Sequence, residues 1–275
     1  MTGLGQKIQG KLRFTPGKYL AVQMQLKATV TQQAMGNAIS FDADGEALYG
    51  YSVLETTANQ TTLQHEGKKI AFAFDGMGQK RSFNSERKAD LDGQFGDPVK
   101  KILSKKFDLV VDEYGNVITT KPETIEPVKT DEHLSIVLNM ISDISDMVYP
   151  PQKGTASFFK VLPDNEIAVG DIWSDSIQTG TGNLKTIYTL AGVTDSTILV
   201  DFKTSGLTIA KTTMMGRETT TTLNNTGTGY IVIDRATGII KQKKIVTESG
   251  GTMEAMGGST PVTSKTTLTI FVTPQ

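Results

Sequence analysis

Strict alternation of apolar and polar residues from Leu20 to Val30 is the feature that most constrains how this chain folds. Six apolar side chains occupy every second position there, and glutamine, lysine and threonine fill most of the positions between them. A two-residue period is typical of a β-strand that turns one face to a core and the other to water. The pattern recurs at residues 198–202 and 268–272, so similar strands are expected in the second half of the chain.

Shorter runs of β-branched and apolar residues predict further strands along the whole chain. They lie at residues 49–54, 70–74, 107–111, 186–190, 207–211, 230–234 and 239–246. Threonine is abundant between them, as at residues 219–222, which suits the exposed faces of antiparallel sheets. The sequence therefore predicts a mostly β protein with few helices.

Turn signals separate several of these runs. Residues 42–45, 112–115 and 234–238 each place an aspartate early and a glycine late. An aspartate accepts hydrogen bonds from the backbone of its own turn, and glycine adopts the positive φ that closes it. We expect each segment to connect the two strands of a hairpin.

Two segments are predicted to be helical. The shorter covers residues 98–106 and begins with a proline, which suits a first helical turn. The longer covers residues 131–148, follows a proline-punctuated connector at residues 121–129, and is ended by a pair of prolines. Its apolar residues form one stripe at helical spacing: Leu134, Val137, Leu138, Ile141, Ile144 and Val148.

The strands on either side of the longer helix resemble each other in order and sequence. Residues 107–118, for instance, match residues 230–240, since each has an apolar strand, an aspartate, a glycine and a second strand. We expect a duplication: a first β half with a short helix (residues 1–129), an amphipathic connecting helix (130–151) and a second β half (152–275). The halves would form two similar antiparallel curved sheets or half-barrels, and the sequence leaves open whether they join in one sheet.

Composition excludes several classes of function. The chain has no cysteine, which rules out thiol catalysis, disulfides and cysteine-ligated metal sites. Its 28 lysine and arginine residues are balanced by 29 aspartate and glutamate residues, so no strong field attracts nucleic acid or an anionic membrane. No apolar run approaches the roughly 18 residues that span a bilayer, and the first residues lack the pattern of a signal peptide.

Motifs for catalysis and cofactor binding are also missing. The nucleophile-elbow, P-loop and dinucleotide-binding patterns do not occur, and the two histidines, His65 and His133, are interpreted as surface residues. Residues 42–46 and 90–97 offer closely spaced carboxylates, but neither segment supplies the full ligand set of a calcium loop, so calcium binding stays open. The sequence predicts no catalytic, cofactor-binding or metal site, and a chain that is not an enzyme.

A paired-carboxylate active site is the one enzymatic alternative. Carbohydrate-active hydrolases use two acidic side chains that meet across an open groove, at least one of them with a raised pKa. Aspartate and glutamate are scattered along this chain, and the sequence does not indicate which two would meet.

Residues 161–173, with the sequence VLPDNEIAVGDIW, and the hairpin at residues 229–241 resemble segments of a known family. With the duplicated order of strands, they resemble an uncharacterised family of bacterial extracytoplasmic lipoproteins. The resemblance implies secretion, a location in the periplasm or on the outer membrane, and an N-terminal lipid anchor that this sequence does not include. The architecture is also similar to periplasmic lipoprotein-carrier folds, in which a curved sheet wraps a helix and shelters an apolar groove.

These observations favour a non-enzymatic binding or scaffold protein of the cell envelope. We expect an apolar cleft between the sheet and the helix at residues 131–148, with a lipid, another hydrophobic ligand or another envelope protein as partner. No cofactor and no nucleic acid is expected. A purely structural protein-interaction module is a further alternative, which would use an unpaired edge strand near residues 219–222 or 266–272.

Overall fold

One continuous antiparallel sheet dominates the protein. The computed structural model describes residues 7–275 except 35–36, 77, 128–136, 140, 180, 215–216 and 256–257. Within those ranges, twelve strands form an open sheet and the helices are short. The predicted mostly β class with few helices is confirmed, and the two sets of strands join in one sheet. Across the same ranges, no helix has the length and apolar character needed to span a membrane.

The strands form two meanders that lie side by side. The first contains β1 (Tyr19–Ala34), β2 (Asn37–Thr56), β3 (Gln60–Gly76), β4 (Gln79–Asn84), β5 (Lys106–Asp112) and β6 (Val117–Lys121). The second contains β7 (Ile172–Thr179), β8 (Gly182–Val193), β9 (Thr197–Met214), β10 (Arg217–Asp234), β11 (Ile240–Ala255) and β12 (Gly258–Pro274). Their order in the sheet is β6-β5-β3-β2-β1-β12-β11-β10-β9-β8-β7, with β4 also paired to β3.

The first and last strands join the two meanders. β1 pairs antiparallel with β12 from Leu20, opposite Pro274, to Gln32, opposite Val262. On its other side β1 pairs with β2 along its whole length. The first and last of the described strands therefore meet at the centre of the sheet, and β6 and β7 lie at its two edges.

The two meanders share an order of pairing. In the second meander, β10 pairs with β9 along the whole length of β9. In the first, β3 has two partners on the corresponding side: β4 pairs with its residues 71–76, and β5 pairs with its residues 60–66. β4 and β5 together thus take the place on β3 that β10 takes on β9. The interruption between them contains the helices α1 (Lys88–Leu91) and α2 (Gly96–Leu103). The predicted duplication is compatible with this order and stays a prediction.

Helix α2 is the short helix expected at residues 98–106. It ends at Leu103 because residue 106 already begins β5. Its apolar side, Val99 and Ile102, is buried against the sheet. The preceding residue, Phe95, packs its ring edge-on against the aromatic rings of β3 and β4.

One face of the sheet is covered, and this core face carries the alternating apolar residues. On β1, Leu20, Val22, Met24 and Leu26 are each at most 2% exposed. Because the pairing is in register, the apolar residues of β2 and β12 continue the same face. The connection between the meanders and the N-terminal segment cover it, and they contribute Ile8, Phe14, Ile141, Ile144, Phe159 and Leu162 to the core.

Two matching turns support the N-terminal segment. Asp112 accepts hydrogen bonds from the backbone of Tyr114 and Asn116, and Asp234 accepts them from Ala236 and Thr237. The turns at residues 112–115 and 234–238 are thereby confirmed. The backbone N–H groups of residues 12 and 13, in the N-terminal segment, donate hydrogen bonds to the carbonyls of residues 113 and 237 in these turns. The N-terminal segment is therefore hydrogen-bonded to both meanders through two consecutive residues.

Residues 42–45, which we expected to form a turn, instead lie in the middle of β2. Asp42 accepts a hydrogen bond from the Thr29 hydroxyl of β1 at 2.7 Å, on the face opposite the core. Gly45 allows close packing, since a Cβ there would lie 2.8 Å from the terminal methyl carbon of Ile144 and 3.1 Å from a methyl carbon of Ile141. The small residue makes room for the segment that crosses the sheet, and it does not close a hairpin.

The expected edge strands are also misplaced. Residues 219–222 belong to β10, which has β9 and β11 on its two sides, and residues 266–272 belong to β12, between β11 and β1. Both stretches are interior because the meander continues beyond them. Neither offers an unpaired edge to a partner.

Replacing Gly45 by valine is predicted to destabilise the fold. The added methyl groups collide with Ile141 and Ile144, and such overpacking costs about 1–3 kcal/mol. Gly250 in β11 is the matched control, since a Cβ there meets nothing within 4 Å. We expect Gly250→Val to be neutral or stabilising by up to about 1 kcal/mol. Urea unfolding compares the two, and equal midpoints would contradict the packing role of Gly45.

Candidate functional site

A helical segment lies across the core face of the sheet. It contains α3 (Ser142–Ser145) and a 3₁₀ turn, Asp146–Val148. Residues 137–139 are also helical, while residues 131–136, with Leu134, lie outside the described residues. The predicted apolar stripe is confirmed for the described positions, because Ile141, Ile144 and Val148 are fully buried. The Tyr49 hydroxyl of β2 donates a hydrogen bond to the Ile144 carbonyl, which fixes the segment to the sheet.

A cavity of about 400 Å³ remains between this segment and the sheet. Its lining is mainly aromatic and apolar, with two carboxylates. The lining residues are Tyr51, Phe107, Leu109, Ser142, Asp143, Asp146, Met147, Tyr149, Pro151 and Phe158. We call it the helix-side cavity. It lies at the place where the cleft between sheet and helix was expected, and it is open to solvent.

Aromatic packing holds the walls of the helix-side cavity in place. The ring of Tyr51 lies parallel to that of Phe158, at an interplanar angle of 8° and a centroid distance of 6.3 Å. Phe159, which is fully buried, packs edge-on against both rings, at 5.0 and 5.1 Å. Stacked and edge-on pairs of this kind stabilise each other beyond their buried area. These contacts fix the positions of the three rings relative to one another.

The carboxylates of Asp143 and Asp146 share this cavity. Both residues are exposed to solvent, yet the neighbouring protein atoms displace part of the water around each carboxylate, and this partial desolvation is the main cause that raises its pKa. For Asp143, Lys243 opposes the rise; for Asp146, a hydrogen bond from Ser145 Oγ at 3.4 Å opposes it and the charge of Asp143 adds to it. No described residue forms an ion pair with either carboxylate.

Lys243 approaches the site from the second meander. It lies on β11, and the pairing places it opposite Ile231 and Ile270, both core residues. Its ammonium group lies 5.5 Å from the centre of the Phe202 ring. Burial lowers the pKa of Lys243, and the negative charge of Asp143 works against that change. Lys243 is therefore the described cation whose charge acts on Asp143.

His65 lies in the core beside the helix-side cavity, so its interpretation as a surface residue was wrong. It is fully buried, its ring stacks on Phe107 at 4.5 Å, and no described group hydrogen-bonds to either ring nitrogen. Burial lowers its pKa to about 4, against a small opposing contribution from Glu66. The cause of the error is a β-bulge at Lys68, which changes the side of β3 that faces the core.

A second, smaller cavity of about 240 Å³ lies between the N-terminal segment and the ends of the strands. Its floor is apolar, with Phe14, Leu20 and Val53 among its residues, and Arg13, Lys18, Lys241 and Asp234 also line it. Lys241 lies 3.9 Å from the Asp234 carboxylate, so part of its charge is already compensated.

The acidic segments considered for calcium have structural partners. Residues 42–46 are part of β2 and do not form a loop. In the other segment, Asp90 accepts hydrogen bonds from the Asn84 backbone and from the Arg87 side chain, at 2.7 and 2.9 Å. Among the described side chains, no three histidine, aspartate or glutamate residues form a group suited to a metal. His133 lies outside the described residues.

The sequence model of a family of unknown function, DUF6263, matches residues 152–240. That stretch contains residues 161–173 and most of the hairpin at residues 229–241, so the resemblance to an uncharacterised family is supported in that respect. No curated protein matches this chain.

Solved structures resemble this chain only weakly. Lipovitellin, from a structure titled for its lipid–protein interactions, is 12% identical with a TM-score of 0.49, over 96% of this chain and 26% of its own. An outer membrane channel from Pseudomonas putida F1 is 6% identical with a TM-score of 0.23, over 96% and 98% of the two chains. Salmonella typhi OmpF in complex with daunomycin is 8% identical with a TM-score of 0.29, over 94% and 100%. This chain thus spans about a quarter of the lipovitellin chain.

His65 is predicted to make the fold sensitive to acid. The unfolded chain binds a proton at the ordinary pKa of 6.5, whereas the folded chain binds it only near 4. Stability therefore falls as the pH drops from 6.5 towards 4, by up to about 3 kcal/mol, and is unaffected by this group above 6.5. We expect His65→Phe to remove this part of the pH dependence in urea unfolding, and His133→Gln to retain it. If the free energy of unfolding of His65→Phe fell with pH as steeply as that of the parent, the interpretation of His65 as a buried, neutral imidazole would be wrong.

Proposed function

We propose that this chain is a non-enzymatic binding protein that holds a hydrophobic ligand in the helix-side cavity. The observation that carries the proposal is the cavity itself, about 400 Å³ of space between the sheet and the helical segment. Small-molecule sites have volumes of about 300–1,000 Å³, and mostly apolar walls with a few placed polar groups. The helix-side cavity has this size and this composition.

The walls favour an apolar ligand. Leu109, Met147 and Pro151 join the four aromatic side chains in the lining. Methionine fits ligands of different shape, because its thioether chain is unbranched and flexible. Water in such a cavity has few hydrogen-bonding partners, so its replacement by an apolar group is favourable.

A location in the cell envelope, with a lipid as the ligand, is part of the proposal. Its support is the resemblance of residues 161–173 and 229–241 to extracytoplasmic lipoproteins. A protein that keeps an acyl chain from water between two membranes needs such a sheltered apolar site. Anchoring through a modified N-terminus belongs to the same proposal.

Filling the cavity is predicted to weaken ligand binding. Ser142 on α3 lines the cavity, whereas Asn139, in the preceding helical residues, is exposed and is not part of the lining. We expect Ser142→Trp to lower the affinity for the neutral fluorescent probe N-phenylnaphthylamine at least about tenfold, because the indole occupies the ligand volume. Asn139→Trp should bind as the parent does. The same loss in both variants, or in neither, would count against the helix-side cavity as the site.

A carbohydrate-active hydrolase is the second candidate, and one observation favours it. Asp143 and Asp146 lie in one cavity, and burial raises the pKa of both, which is the condition that a general acid requires. Aromatic side chains such as Phe158 and Tyr149 would then serve as platforms for the faces of sugar rings. In this alternative one carboxyl group donates a proton and the other acts as base or nucleophile.

Chromogenic glycosides test this alternative. A hydrolase would release the chromophore, and Asp143→Asn or Asp146→Asn would lower the rate by at least about 100-fold, the usual effect of losing a general acid or base. We expect no turnover above buffer, since the binding role is our preferred proposal. Turnover that disappears in either variant, but persists in Asp195→Asn at an exposed site, would replace the binding role by hydrolysis.

A further inference from the structure

We infer that the ligand of the helix-side cavity is an amphiphile whose head group is a quaternary ammonium. The inference rests on the proposed function and specifies its ligand. It is drawn from two features of the lining, the aromatic side chains and the carboxylates, which line the same cavity.

Four aromatic side chains contribute to the lining: Tyr51, Phe107, Tyr149 and Phe158. The face of an aromatic ring is electronegative, so several rings around one space attract a cation that has lost its water. A quaternary ammonium gives up water at little cost, because it has no N–H donor to leave unsatisfied. Aromatic enclosures of this kind are the usual means by which proteins bind such groups.

The carboxylates leave the cavity with uncompensated negative charge. Asp143 and Asp146 contribute two negative charges, and Lys243 is the described cation whose charge acts on Asp143. No described basic group acts on Asp146, which receives only a weak hydrogen bond, from Ser145. Both side chains are exposed to solvent at the cavity, and a ligand cation beside Asp146 would form a charge-assisted contact that no described basic group supplies. An anionic head group would instead add to the repulsion.

The floor of the cavity presents no competing charge. His65 lies behind Tyr51 and Phe107, and it is neutral at physiological pH because burial lowers its pKa to about 4. The tyrosine hydroxyl groups of Tyr49 and Tyr51 are also neutral, since burial raises their pKa. The aromatic floor therefore attracts a cation without a positive group in contact with it. The apolar residues Leu109, Met147 and Pro151 remain for the alkyl chain.

Three single-chain probes of equal length test the inference. They are decyltrimethylammonium, decyl sulfate and a nonionic decyl oligo(ethylene glycol), each titrated below its critical micelle concentration in a calorimeter at one ionic strength. We expect decyltrimethylammonium to bind at least about tenfold more tightly than the nonionic probe, and decyl sulfate to bind more weakly than both. Ser142→Trp should abolish binding of all three, which assigns the heat to the cavity.

Variants of the carboxylates separate the head group from the chain. Asp146→Asn should reduce the preference for the cationic probe over the nonionic probe to about threefold or less. Asp143→Asn provides a second variant should the first fail to fold, and Asp195→Asn, at a fully exposed carboxylate, is the control for general surface charge. A preference that survives both substitutions would overturn the assignment of the head group.

The outcomes distinguish the inference from the function on which it rests. Equal binding of the cationic and nonionic probes, both abolished by Ser142→Trp, would overturn the ammonium head group and leave a hydrophobic ligand in place. Tighter binding of decyl sulfate would overturn it in favour of an anionic head group. Failure of all three probes to bind would contradict the proposed function itself.

Discussion

The pairing of β1 with β12 is the interaction on which the rest of the structure depends. These strands are the first and last of the chain, and their register, with Leu20 opposite Pro274, joins two meanders into one sheet. Without it, each meander would expose a long edge and half of a core face. Contacts so distant in sequence form late and at high entropic cost. The hydrophobic face that runs without a break from β2 through β1 to β12 offsets that cost.

Joining the meanders also creates the surface that the site requires. The chain between β6 and β7 must return across the core face, and its apolar stripe packs there while Gly45 leaves room for it. The segment covers the part of the sheet formed by the first strands, and Lys243 of β11 reaches its acidic side. The helix-side cavity is the space that this crossing leaves unfilled. Its carboxylates come from the helical segment, and its aromatic walls come from the sheet and the connection.

Much of the fold could be predicted from the sequence, because two-residue periodicity marks each half-buried strand. Turns could be predicted where an aspartate accepts hydrogen bonds from the backbone of its own turn, as at Asp112 and Asp234. The prediction of a turn failed at residues 42–45, because the glycine there makes room for a segment that is distant in sequence. His65 was misjudged because the bulge at Lys68 shifts the alternation on β3. The change of phase can be seen on β3: the core residue Leu63 has an odd number, whereas Ile70 and Phe72, which are also in the core, have even numbers.

The site itself could not be predicted beyond the helical stripe and the existence of a cleft. Asp143 and Asp146 are ordinary polar residues on the outer side of an amphipathic helix, and only the tertiary arrangement brings them beside Tyr51, Phe107 and Phe158. Sequence spacing carries no information on contacts between segments so far apart. The same limit applies to Lys243, whose burial depends on its register opposite Ile231 and Ile270.

A crystal structure of the protein grown with decyltrimethylammonium is the measurement that tests the central claim most directly. We expect density for the decyl chain between the sheet and α3, in contact with Leu109 and Met147, and the ammonium group among the rings near Asp146. Two results would contradict the helix-side cavity as the binding site. In one, the cavity contains only water while the amphiphile binds elsewhere; in the other, movement of Phe158 closes the cavity.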